Sequence, residues 1–188
     1  MHPRLEEVLN YLDSQRAALS EAVELVPTEL RDQQPGADRW SVAQVLQHLV
    51  IIEKRIGMGM TKWVGDAVAG GLGPELETSS VLNSLDLALI ADRSRRRNAP
   101  EEVRPDGSLN AASAWTALEQ TRAALRAAVL PADGLALSDV VKPHLVLGPI
   151  NIYQWLLFVG SHEARHTAQV REIVAEMNTG ASAAKDAT

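Results

Sequence analysis

Apolar residues recur at three- and four-residue intervals through most of the chain, a spacing that predicts helices. Over residues 3–26 the stripe is Leu5, Val8, Leu9, Leu12, Leu19 and Val23, with Asp, Glu and Arg between them. Pro27 interrupts it, and TELRDQQPGADRW reads as a loop with a short turn. Ser41, after Trp40, has the chemistry of an N-cap for a second helix running to about Ala69. Its stripe is Val42, Val45, Leu49, Ile52, Ile56, Met60 and Trp63. GGLGPELETSS then breaks the pattern, and Leu82, Leu85 and Leu89 predict a short helix within 80–92. A third long helix spans roughly 110–129 through Trp115, Leu118, Leu125 and Val129. LPADGLALSDVVKPHLVLGP has breakers at both ends and room for extended chain. Pro149 suits a first helical position, so the fourth long helix is placed from about Ile150 to Met177.

Four long amphipathic helices without a strong strand pattern predict an all-α fold, a four-helix bundle. A single domain over 1–178 is expected, followed by a small, polar, frayed tail at 179–188. The link between the second and third long helices, roughly forty residues, is too long for a hairpin and implies a crossover.

On the fourth long helix the stripe is interrupted by HEARH, residues 162–166. At about 100° per residue, the apolar residues Trp155, Leu156, Val159, Val170, Ile173 and Val174 fall within about 60° of Ile152. His166 and Glu163 lie inside that sector, His162 at its edge with Gln169 near it, and Arg165 points nearly away. Polar groups on an apolar face need partners, because an unsatisfied one costs on the order of 1–3 kcal/mol. A hydrogen-bonded network is one answer. A metal is the other, since two His one turn apart can share an ion.

H-E-x-x-H is also the zinc-protease signature, with the Glu as general base. That chemistry needs a third ligand downstream. Glu172 projects about 240° away from His166, and Glu176 lies about 15 Å further along the axis. Neither can close on the same ion, and no sheet lines a peptide cleft. An upstream ligand is required. His2 is terminal and His144 sits in the loop KPHLVLGP. His48, among Val45, Leu46, Leu49 and Ile52, is on a rigid element facing the interior. Three imidazoles leave coordination positions open for water or substrate. Zn, Ni, Fe(II) or Mn would fit such a set.

Composition narrows the classes. The 188-residue chain has no cysteine, which removes disulfides, thiolate ligands and a cysteine nucleophile, and fits a cytoplasmic setting. A formal charge of −6, with one Phe and two Tyr, argues against a nucleic-acid surface. No apolar run reaches membrane-spanning length, and the acidic N-terminus is unlike a secretory signal. Arg93, Arg95, Arg96 and Arg97 form one basic run, read as a solvated loop offset by Glu101 and Glu102. Its functional reading is capture of an anionic substrate. The four Trp read as core, with Trp40 and Trp155 also able to line a pocket.

A Trp-Ser start followed by His48, with LGPINIYQWLLFVGSHEARHTAQV near the end, resembles the DinB/YfiT-like superfamily over nearly the whole chain. The resemblance implies a crossover four-helix bundle, a homodimer, and a divalent metal, Zn or Ni first, held by His48, His162 and His166. It also implies a metal-dependent enzyme acting on a small molecule, a transferase using a low-molecular-weight thiol. A metal-bound thiol is acidified, and without Cys here the thiol must come from outside. A metal-dependent hydrolase uses the same parts, with Glu163 as proton acceptor. Glu163 as hydrogen-bond partner of a ligand is the role we favour. A non-catalytic metal-binding or dimerising bundle is the remaining alternative.

Overall fold

The computed structural model describes residues 1–94 and 98–185. It is mostly helical, with α1 (Pro3–Glu24), α2 (Val42–Ala69), a short α3 (Leu87–Ala91), α4 (Ala111–Val129) and α5 (Ile152–Lys185). A hairpin of β1 (Val141–His144) and β2 (Gly148–Asn151) precedes α5. Among the described residues no helix is long and apolar enough to cross a membrane.

Local chemistry sets the ends. Ser41 opens α2 with a reciprocal cap: its hydroxyl accepts from the Gln44 N–H at 3.2 Å, and the Gln44 side chain accepts from the Ser41 N–H at 3.0 Å. Asn151 and Gln154 make the same exchange at the start of α5, at 2.9 and 3.0 Å. That cap displaces the expected start. Pro149 is in β2 rather than at a first helical position, facing Pro143 across the ladder. Neither proline has an N–H to donate, so the two can only form a pair that exchanges no hydrogen bonds. The expected helix within 80–92 is also divided. Leu85 is extended, and Asp86 caps α3 by accepting from the Leu89 N–H at 2.9 Å. At the other end α5 continues past Met177 to Lys185, through alanines that favour helix.

The helices pack mainly as α1 on α5 and α2 on α4, and α3 lies against α5. The apolar interior forms two clusters. One gathers Leu5, Leu9, Leu12, Ile56, Met60, Leu125, Ile152 and Leu156. The other gathers Leu19, Val42, Val45, Leu46, Leu49, Ala114, Leu118 and Val170. Between them each long helix contributes a buried charge to a single group: Arg16, Glu53, Arg122 and Glu163.

These four close a ring of ion pairs. Arg16 donates to Glu163 at 2.5 Å and to Glu53 at 3.0 Å, and Arg122 donates to Glu53 at 2.5 Å and to Glu163 at 2.6 Å. Remaining guanidinium protons reach main-chain carbonyls, Arg16 to Leu118 and Arg122 to Leu12. Burial holds the Glu53 carboxyl above its ordinary value, against the pull of Arg122 and Arg16. Arg16 is thus interior, not one of the polar residues filling the outer face of the first helix.

Candidate metal centre

His48 projects from α2, and His162 and His166 project from α5 one turn apart. One ring nitrogen from each lies within 4.8 Å of the other two. His48 is 4 % exposed and His166 6 %, while His162 is half-buried at the rim. Trp40 covers the group, its ring 5.1 Å from His48 and 6.4 Å from His166, nearly parallel to the latter. Phe158 stacks on His162 at 5.6 Å.

Hydrogen-bond partners assign two tautomers. His48 Nδ1 lies 2.7 Å from the Val103 carbonyl, which only accepts, so this nitrogen carries the proton. His166 Nδ1 lies 2.9 Å from Gln169 Oε1 and donates to it. Both rings therefore present an Nε2 lone pair. His166 Nε2 faces His162 Nε2 at 3.3 Å. Tetrahedral ligands about 2.0–2.1 Å from a zinc ion lie about 3.3–3.4 Å from one another, so this spacing fits a shared metal. The donor set fits a divalent transition metal by chemistry as well.

Electrostatics favour the ligating form. Burial lowers the His48 pKa, partly offset by its bond to Val103. His162 is pushed down to about 3, first by burial and then by His48, Arg165 and His144. His166 lies well below the usual histidine range, again mainly through burial, with His162 and His48 adding to it. All three are neutral at pH 7, as metal binding requires.

Glu163 faces inward, but both its oxygens accept from the guanidiniums of Arg16 and Arg122. Its place is in the ring beneath the histidines, where its backbone carbonyl also accepts from Thr167. Arg165, placed on the outer side of α5 by its angle, is buried instead. The reason is that α3 and the chain after it cover that side: Ser161 donates to the Leu87 carbonyl, and Arg93 reaches Gln169 and Glu172.

Arg93 is therefore an organised residue, not part of a solvated basic run. Arg95, Arg96 and Arg97 fall outside the described residues. Trp155 is buried as core, while Trp40 lies over the histidines. His2 caps α1, its Nδ1 accepting from the Arg4 N–H at 3.4 Å.

Parts of this arrangement were not anticipated from the sequence, where His144 reads only as a loop residue. The Val103 carbonyl leaves no side-chain signal at all. His144 ends β1, where its Nδ1 accepts from Val146 and Leu147 N–H and its ring meets Trp155 and Phe158 at 4.9 and 4.4 Å. The ring partners of Glu163 did leave a signal. Arg16 sits between Leu12 and Leu19, Glu53 between Leu49 and Ile56, and Arg122 between Leu118 and Leu125. In each helix a charge occupies the same step of the apolar stripe.

Comparison with known proteins finds two likenesses. Residues 11–170 match the family model of the DinB superfamily. The chain is also similar to an uncharacterized protein, YuaE, of Bacillus subtilis (strain 168), at 31 % identity over 146 residues, covering 77 % of this chain and 83 % of that one. No solved structure matches the chain.

Proposed function

The chain belongs to the DinB superfamily, and on that premise we propose that it is a metal-dependent transferase working through a low-molecular-weight thiol. The observation that carries the reading is the convergence of His48, His162 and His166, with the His48 and His166 lone pairs aimed by Val103 and Gln169. A divalent transition metal bound there, zinc or nickel first, supplies an electrophile that acidifies a thiol. The chain's own part is to hold three neutral imidazoles and to keep water from one side with Trp40 and Phe158. It has no cysteine, so the thiol arrives as a small molecule.

Hydrolysis would call for a carboxylate base free to take a proton. Glu163 has both oxygens engaged by guanidinium groups, which favours the thiol reading. The same reading takes the four long helices as the family's bundle, with the chain between α2 and α4 as its crossover. It places the protein in the cytoplasm as a homodimer acting on a small molecule, with neither nucleic acid nor membrane as partner.

Elemental analysis of protein purified without an affinity tag tests the foundation. Metal near one per chain is expected, falling sharply in His48→Ala. Metal well below one per chain in both proteins would remove the proposed chemistry.

A further inference from the structure

The two assigned histidines are held by unlike acceptors. His48 donates to a backbone carbonyl, which has no alternative orientation. His166 donates to the side-chain amide of Gln169, whose oxygen and NH2 group exchange places by a half-turn. With NH2 facing it, His166 Nδ1 would have to accept, and the proton would move to Nε2. That nitrogen could then no longer bind a metal. Something must hold the amide.

We infer that Arg93 is a positioning residue, which by orienting the Gln169 amide fixes the nitrogen that His166 offers to a metal. Arg93 donates to Gln169 Oε1 at 3.2 Å, the same oxygen that accepts from His166. A guanidinium has donors only, so it tolerates the oxygen of Gln169 and repels its NH2 group. Arg93 is in turn clamped, its Nε and a terminal nitrogen each donating to one oxygen of Glu172 at 2.8 Å. That bidentate fork fixes the plane of the group, leaving the other terminal nitrogen for Gln169. His166, Gln169 and Glu172 follow one another at three-residue steps along α5, and Arg93 comes from the segment just after α3. The role bears on function only with the metal reading above, yet the tautomer is readable without metal.

The experiment uses the full chain with 15N-labelled histidine, metal-free, where NMR coupling patterns distinguish Nδ1–H from Nε2–H rings. Wild type is expected to show His166 as a single Nδ1–H form, and Arg93→Met a mixture. Zinc affinity, measured by competition with a chromophoric chelator, is expected to fall about 10–100-fold in Arg93→Met. Arg93→Lys, still only a donor, should keep the Nδ1–H form. Adding Gln169→Glu to Arg93→Met should restore it, because a carboxylate accepts in either orientation. If Arg93→Met fails to fold, Arg93→Gln replaces it with the same expectations, since its amide can accept from a turned Gln169. An unchanged Nδ1–H ring in the uncharged variants, with unchanged zinc affinity, would overturn the role. Wild-type protein that binds no zinc would sink the metal reading instead, and the tautomer result would still decide the role of Arg93.

Discussion

For single residues, the site is defined by which protons are absent. An unfolded histidine titrates near pH 6.5, but His162 in the fold is held down at about 3. Between those values the unfolded chain binds more protons than the folded one, so stability rises with pH across the window. The contribution is present above about pH 6.5 and is lost as pH falls towards about 3. A bound metal deepens the same dependence, because protons compete for the same lone pairs. Melting with and without a chelator is the measurement. The chelator is expected to lower the melting temperature markedly near pH 7.5 and much less near pH 5. An equal effect at both would speak against imidazole ligation.

At the scale of elements, the geometry depends on how closely α5 approaches α1. Gly160 marks the contact: a Cβ there would lie 2.5 Å from Tyr11 Cε1 and 3.3 Å from Leu12 Cδ2. Alanine is the better helix former by about 1 kcal/mol, but overpacking a buried contact costs about 1–3 kcal/mol. Gly160→Ala is therefore expected to lower stability in urea unfolding, and a gain would show that the helices separate freely. The helix stripes, the Ser41 cap and the inward faces of Glu163 and His166 were legible because they depend on local period and cap chemistry. The start of α5 was not. Pro149 is good at the head of a helix and also good in a β pair facing another proline. Only the pairing with Pro143, a tertiary fact, decides between them. The placement of Arg165 failed likewise, since a wheel describes one helix and cannot register α3 covering its far side.

For the molecule as a whole, the buried ring is the largest electrostatic commitment. Removing one member leaves two buried charges with only one of their two partners in the ring, at a cost of about 3–5 kcal/mol. Arg122→Ala should reach that range in denaturant unfolding, because it strips a partner from both Glu53 and Glu163. Glu163→Gln should also act first on stability, by uncovering Arg16 and Arg122. A loss below about 1 kcal/mol for Arg122→Ala would mean that water enters and solvates the remaining charges.

The signs in that ring also carry information about assembly. Arg16 on α1 and Arg122 on α4 are positive, and Glu53 on α2 and Glu163 on α5 are negative. Each cation is bound by both anions and each anion by both cations, so the ring closes only when all four helices meet at this level. It therefore works as a completeness check on assembly, penalising arrangements that leave one helix out of register and that the apolar stripes alone would accept. Descent should show the same rule: across relatives, positions 16, 53, 122 and 163 are expected to change together or not at all.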